Sequence, residues 1–164
     1  MRRLRKHFGK LRRLGWRERV ALLQAGVLLV PVRLALVVLP FRSVLRMADR
    51  VGRTRALSSR YSPDDENARL HRIVWAVKVV GNRIFPGNPC LTQALVVHAL
   101  YRRSGRHADL RIGVRREPGA ALEAHAWVES SGEVVIGGAD SSHNYTPLPP
   151  LSSLPHDPAD ILRA

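Results

Sequence analysis

The chain has 164 residues, 45% of them hydrophobic and 24% charged, which is typical of one globular domain and excludes a disordered or fibrous chain. The single cysteine excludes an internal disulfide and a cysteine-based zinc site, and an unpaired thiol fits a reducing cytoplasm. The net charge of +14 lies in residues 1–60, where 16 lysines and arginines face two acids, while residues 61–164 are balanced. This asymmetry predicts an acidic or polyanionic partner for the first segment.

The first segment is predicted to be helical, basic and apolar. Residues 20–41 are strongly apolar, but their longest uncharged stretch is shorter than the roughly 18 residues that a membrane span requires. We therefore predict two buried helices, near 17–30 and 32–48, with a break at Pro31. A basic apolar helix also suits a membrane surface, so peripheral membrane contact of a cytoplasmic protein stays open. Nucleic-acid binding rests on charge alone, because the sequence has no nucleic-acid-binding motif.

Residues 61–164 are predicted to form the second unit. A helix should begin at Pro63, which follows a capping serine and precedes three acids, and it should end near Val80. The next helix begins at Cys90 and ends before Gly105, because glycine at that position favours helix termination.

A small sheet should follow, because the apolar residues now alternate. Strands are predicted at 109–114, 123–129 and 133–136. Ser130–Gly132 is interpreted as a three-residue hairpin loop, and that register would place Gly137 across from His125. Helices that precede a small antiparallel sheet predict an α+β fold.

Cys90 is the candidate nucleophile. A thiol attacks only as the thiolate, and the positive end of a helix dipole favours that anion. Unpaired backbone amides at the start of the same helix could also bind an oxyanion. The competing interpretation is an ordinary buried cysteine, which is the usual fate of a free thiol.

His125 is the candidate base. His98 shares the helix of Cys90, but eight residues at about 1.5 Å each separate the two by roughly 12 Å, so His98 is interpreted as a hydrogen-bonded core histidine. On its strand, His125 points to the same side as Trp127 and Glu129. We expect the helix of Cys90 to pack on that side of the sheet.

The motifs around these residues resemble one family. Pro86 to Leu91 opens a helix with Pro-x-x-x-Cys-Leu, and Leu100 to Gly105 closes it with Leu-x-Arg-Arg-x-Gly. Ala124 to Glu129 reads Ala-His-Ala-Trp-Val-Glu, downstream of an Ile-Gly-Val strand at 112–114. Together, over roughly residues 62–146, these motifs resemble the lasso-peptide leader peptidases.

The resemblance implies a papain- or transglutaminase-like cysteine protease. Its cysteine would start a central helix packed on a small antiparallel sheet, with Cys90 as nucleophile and His125 as base, and it would need no cofactor or metal. The implied reaction removes the leader from a ribosomally made lasso-peptide precursor. The implied partners are a separate small winged-helix protein that binds the leader and an ATP-dependent, asparagine-synthetase-like cyclase.

The third catalytic residue of that family is an aspartate on the strand after the histidine, and here the sequence departs from the family. Glycine occupies position 137, so Asp140 is predicted as the acid that orients His125, provided that the glycines at 137 and 138 let the chain fold back. A backbone carbonyl or the side chain of Asn144 could serve instead.

Two other functions stay open. The same site could pass its acyl group to an amine rather than to water, which would make the protein an acyl transferase. Alternatively, the chain could be a non-enzymatic basic adaptor for membrane or nucleic acid, with Cys90 and His125 merely structural. The adaptor predicts that Cys90→Ala has no effect, and the transferase predicts an amine-dependent product.

Overall fold

The computed structural model describes residues 15–53, 62–87, 89–116, 121–138 and 144–149. This part of the chain contains four helices followed by four short strands, so the predicted α+β architecture is confirmed. The helices are α1 (Trp16–Val38), α2 (Phe41–Arg53), α3 (Pro63–Ile84) and α4 (Cys90–Arg103). The strands are β1 (Asp109–Arg115), β2 (Glu123–Ser130), β3 (Glu133–Ile136) and β4 (Thr146–Pro147).

α1 is one continuous helix, and the predicted break at Pro31 is wrong. A proline inside a helix removes one backbone hydrogen bond, which here frees the carbonyl of Val27. Both Val27 and Pro31 are exposed, so water can satisfy that carbonyl and the helix continues. The chain breaks instead at Leu39 and Pro40, after which α2 begins.

α3 and α4 pack closely through a glycine. α3 continues to Ile84, past Gly81, where the sequence predicted its end. A Cβ at position 81 would lie 2.4 Å from Nε2 of Gln93 on α4, so glycine is needed here for close packing rather than for termination. Nε2 of the buried Gln93 donates a hydrogen bond to Oδ1 of Asn82 at 2.9 Å. This bond fixes the first turn of α4, which begins at Cys90, against α3.

The sheet is antiparallel throughout, in the order β3-β2-β1-β4. β1 and β2 pair along their whole length, with Gly113 opposite His125. β4 pairs with β1 at Gly113 and Val114 and was not predicted, because two residues are too short to show an alternating pattern.

The β2–β3 hairpin has a two-residue turn, so the predicted three-residue loop and its register are wrong. Ser131 and Gly132 both have positive φ, 53° and 82°, as a type I′ turn requires. The pairs are Ser130–Glu133, Glu129–Val134 and, beyond a bulge, Val128–Ile136. A Cβ at Gly137 would lie 2.3 Å from Cβ of Trp127, so Gly137 lies across from Trp127 and not from His125.

The helices cover one face of the sheet, and the core lies between the two layers. β2 contributes Ala126 and Val128 to this core, and α1 contributes Ala21, Ala25 and Leu29. The predicted burial of the first helices is therefore confirmed for one face of α1 and for Val44 of α2. The segments before and after the predicted boundary at 60/61 share one core, and that boundary itself lies outside the described residues.

Candidate active site

Cys90 is the first residue of α4 and the only cysteine in the sequence. Pro89 precedes the helix with φ −77° and ψ 0°, and its carbonyl accepts the amide of Gln93 at 2.9 Å. The amides before Gln93 belong to the helix start, where an α-helix offers no carbonyl partner. The thiol is half-buried and packs against the core. The predicted position of Cys90 at a helix start is confirmed, and the neighbouring amides can bind an oxyanion.

His125 lies on β2, and its ring is held by a backbone carbonyl. Nε2 lies 2.8 Å from the carbonyl oxygen of Gly137. A carbonyl can only accept, so Nε2 carries the hydrogen and donates it, and the lone pair of the neutral ring is on Nδ1. Nδ1 is therefore the nitrogen of His125 that can act as a base.

Aromatic rings also hold the imidazole of His125. The ring centroid of Tyr145 lies 5.0 Å from that of His125, with 29° between the planes, and Trp127 stacks at 6.3 Å and 17°. The guanidinium of Arg115 lies 5.4 Å from the centroid of the Tyr145 ring. Stacking limits the tilt of the imidazole, and the hydrogen bond to the carbonyl limits its rotation.

Trp127 is fully buried between two glycines. A Cβ at Gly113 would lie 2.8 Å from the Trp127 ring, and one at Gly137 would approach its Cβ even more closely. Nε1 of Trp127 donates to Oε1 of Glu129 at 2.7 Å, so the buried indole keeps a hydrogen-bond partner. The two glycines therefore make room for the indole that stacks on His125.

His125 and Trp127 lie on the face of the sheet opposite the helices. The helical layer packs on Ala126 and Val128, whose side chains alternate with those of His125 and Trp127 along β2. The expectation that the helix of Cys90 packs on the His125 face is therefore wrong. Ala126 and Val128 give the helices an apolar surface to pack on. His125 and Trp127 carry polar atoms that need hydrogen-bond partners, so their face is less suited to packing against apolar helices. Within the described part of the chain, no hydrogen bond joins Cys90 to His125.

Asp140, the predicted orienting acid, lies outside the described residues, so its role stays a prediction. The side chain of Asn144, the second alternative, is exposed. The backbone carbonyl, which was the remaining alternative, is the partner that the structure shows: the carbonyl of Gly137 accepts a hydrogen bond from Nε2 of His125.

Two features of the site were not predicted from the sequence: the stacking of Tyr145 on His125, and which residue supplies the carbonyl that Nε2 meets. Every residue has a carbonyl, so only the register of the hairpin reveals which one meets His125. Tyr145 comes close because the next residue, Thr146, pairs with Val114 across β1 and β4. Neither pairing leaves a periodic pattern in the sequence.

The other described histidines lie outside this arrangement. His98 is buried, and its Nε2 lies 3.0 Å from Oδ1 of Asp49 on α2, which confirms it as a hydrogen-bonded core histidine. His71 and His107 are exposed. Across the described ranges, no group of three or more His, Cys, Asp and Glu side chains is placed to hold a metal ion.

Comparison with known proteins gives one match. The sequence profile described as the transglutaminase-like superfamily matches residues 35–149, a stretch that contains both Cys90 and His125. Neither the curated proteins nor the solved structures yield a match.

Proposed function

Since the chain belongs to the transglutaminase-like superfamily, we propose that it is a cysteine peptidase that removes the leader from a ribosomally made lasso-peptide precursor. Enzymes of this superfamily are generally cysteine proteases or acyltransferases. The observation that carries the proposal is the thiol of Cys90 at the start of α4, within the region that the family profile matches. The choice of a lasso-peptide precursor is supported by the motifs around Cys90 and His125.

In the proposed reaction, Cys90 gives its proton to Nδ1 of His125 and its Sγ attacks the carbonyl carbon of the bond between leader and core peptide. Amides at the start of α4 donate hydrogen bonds to the resulting oxyanion. The C–N bond then breaks, and His125 returns the proton to the leaving amine, which becomes the N-terminus of the core peptide. Water hydrolyses the thioester, with His125 again taking a proton, and this releases the leader and restores the thiol.

The mechanism requires Sγ of Cys90 and Nδ1 of His125 to come within hydrogen-bond reach when substrate is bound. Cys90 belongs to the helical layer, whereas His125 points to the opposite face of the sheet. The proposal therefore requires that substrate binding brings the two side chains together. Asp140 is retained as a proposed third member, with a smaller share of the orienting role because Gly137 already holds Nε2.

The proposed partners follow from the same resemblance. The peptidase would act in the cytoplasm with a separate winged-helix protein that presents the leader, and the released core peptide would pass to an ATP-dependent cyclase. A short precursor reading frame and a cyclase gene beside the gene of this protein would support these partners.

The test measures cleavage of the neighbouring precursor by mass spectrometry, with the winged-helix protein present. We expect Cys90→Ala and His125→Ala each to lower the cleavage rate by at least about 10³, because nucleophile and base act as a unit. Asp140→Asn should cost only about tenfold, since the carbonyl of Gly137 still fixes the tautomer. His107→Ala is the control, because His107 is exposed and lies outside the site.

A second measurement tests the contact between the two catalytic groups. Iodoacetamide should label Cys90 at neutral pH, and His125→Ala should slow that labelling when substrate is bound, because the thiolate loses its imidazolium partner. Normal cleavage by the labelled protein would exclude Cys90 as the nucleophile and favour the adaptor. A product that forms only with an added amine would favour the acyltransferase.

A further inference from the structure

α1 exposes an apolar face along its whole length. The large side chains on this face are between 41% and 78% exposed: Trp16, Leu23, Val27, Val30, Leu34, Val37 and Val38. From Leu23 to Val37 they recur every three or four residues, and Val38 adjoins Val37, so they lie on one side of the helix, which we call the outer face of α1. The opposite side buries Ala21, Ala25 and Leu29 in the core.

The outer face is larger and more apolar than a monomer usually leaves in water. Seven large side chains at these exposures amount to an apolar patch on the order of several hundred Å², a size that marks an interaction site. α1 is also long and apolar enough to cross a membrane, and little of its most apolar stretch is buried in the protein. Crossing would strip Ala25 and Leu29 from the core, so a helix that lies along a surface fits the packing better.

The exposed charges of α1 and α2 are mostly cations, and the acids of these two helices have partners within the chain. The exposed arginines of α1 and α2 are Arg17, Arg19, Arg33, Arg42, Arg46 and Arg50. Glu18 accepts the amide of Gly15 at the start of its own helix. Asp49 faces His98 at 3.0 Å and Arg102 at 3.9 Å. α1 therefore carries exposed cations beside its own outer face, at Arg17, Arg19 and Arg33.

We propose that the outer face of α1 docks the protein on an anionic phospholipid bilayer, with the helix lying flat in the interface. A 23-residue helix is about 34 Å long at 1.5 Å per residue, and the apolar face would enter the acyl boundary while the arginines meet the headgroup phosphates. A second copy of the chain is a poorer occupant, because two such faces would bring like charges together. The proposal is independent of the peptidase reaction.

The test measures partitioning of the full chain onto vesicles by co-sedimentation. Phosphatidylcholine vesicles with phosphatidylglycerol should bind the protein, and each cation near the surface should add about fivefold to the partition coefficient. Binding should weaken on pure phosphatidylcholine and in high salt. Val27→Gln combined with Leu34→Gln should lower partitioning at least about tenfold, because both side chains leave water on binding.

Leu122→Gln is the matched control, since Leu122 is 63% exposed just before β2 and should leave partitioning unchanged. Both altered positions on α1 are exposed, so the double variant should keep the thermal stability of the parent. Absence of binding to anionic vesicles would overturn the proposal, as would equal binding by the double variant and the parent. A parent dimer that the double variant converts to monomer, without vesicle binding, would assign the face to self-association instead.

Discussion

At the scale of single residues, Gly137 decides how His125 is held. Its carbonyl accepts Nε2–H of His125, while its missing side chain leaves room for Trp127, which stacks on the same imidazole. Gly137 has φ +114°, a conformation that residues with a side chain rarely adopt. One position therefore supplies the hydrogen-bond acceptor, the space and the backbone geometry that the ring needs.

Gly137→Ala should destabilise the fold more than an alanine at another glycine of similar backbone conformation. Gly87, with φ +120° and open space around its ideal Cβ, is the matched control. We expect Gly87→Ala to cost about 1 kcal/mol from backbone strain, and Gly137→Ala to cost about 2 kcal/mol more because its Cβ would overlap Trp127. Urea denaturation measures both, and equal losses would contradict the packing described for Trp127.

The sequence was informative about the residue types of the site and much less so about their relative positions. Cys90 could be placed at a helix start because proline before it and glycine after the helix are local signals. The position of His125 relative to the helices could not be predicted. Alternation along a strand distinguishes its two faces but does not show which face the helices cover. The expected meeting of nucleophile and base favoured the His125 side, but Ala126 and Val128 face the helices.

At the scale of elements, boundaries with a local signal were predicted and those set by packing were not. The starts of α3 and α4 and the three longer strands follow capping residues, turn formers and alternation. Pro31 and Gly81, which usually break helices, lie inside them: water can satisfy the carbonyl that Pro31 frees, and Gly81 allows the close approach of Gln93 on α4. A bulge in the β2–β3 hairpin also makes the observed register differ from the predicted one, and no residue pattern in the sequence indicates this bulge.

The contact between α2 and α4 includes a hydrogen bond between the buried His98 and the half-buried Asp49. A double-mutant cycle with Asp49→Asn and His98→Gln should give a coupling free energy of about 1–2 kcal/mol, because the His98 end of the 3.0 Å hydrogen bond is buried. The control cycle uses His107 and Asp109, an exposed pair at 3.7 Å, and should give less than about 0.5 kcal/mol. Similar coupling free energies in both cycles would contradict the stabilising role assigned to the hydrogen bond between Asp49 and His98.

At the scale of the whole molecule, the described part of the basic first segment, residues 15–53, belongs to the same folded body as the site. Its net charge sets it apart in the sequence, yet α1 places Ala21, Ala25 and Leu29 in the core with residues of α3, α4 and the sheet. A cluster of charge in the sequence indicates a surface that can meet a partner. It does not show where one folded domain ends, because that depends on contacts between residues distant in the sequence. The family profile likewise begins within α1, at residue 35.

Leu29→Ala therefore tests whether α1 is integral to the fold. Leu29 is fully buried, and its truncation should lower the free energy of unfolding by about 3 kcal/mol. Leu23→Ala makes the same chemical change on the outer face of α1 and should cost less than about 0.5 kcal/mol. Thermal or urea unfolding compares them, and a negligible loss in Leu29→Ala would mean that α1 is an appendage.

The burial of Trp127 gives the protein an optical reporter for one of its two layers. Trp16 and Trp75 lie on helices and are exposed to solvent in the folded protein, whereas Trp127 is fully buried on the face of the sheet opposite the helices. A red shift of tryptophan emission during unfolding must therefore come mainly from that side, while far-ultraviolet circular dichroism follows the helices. Coincident curves would mean that both layers unfold together, and an earlier emission change would mean that the surroundings of His125 open while the helices persist.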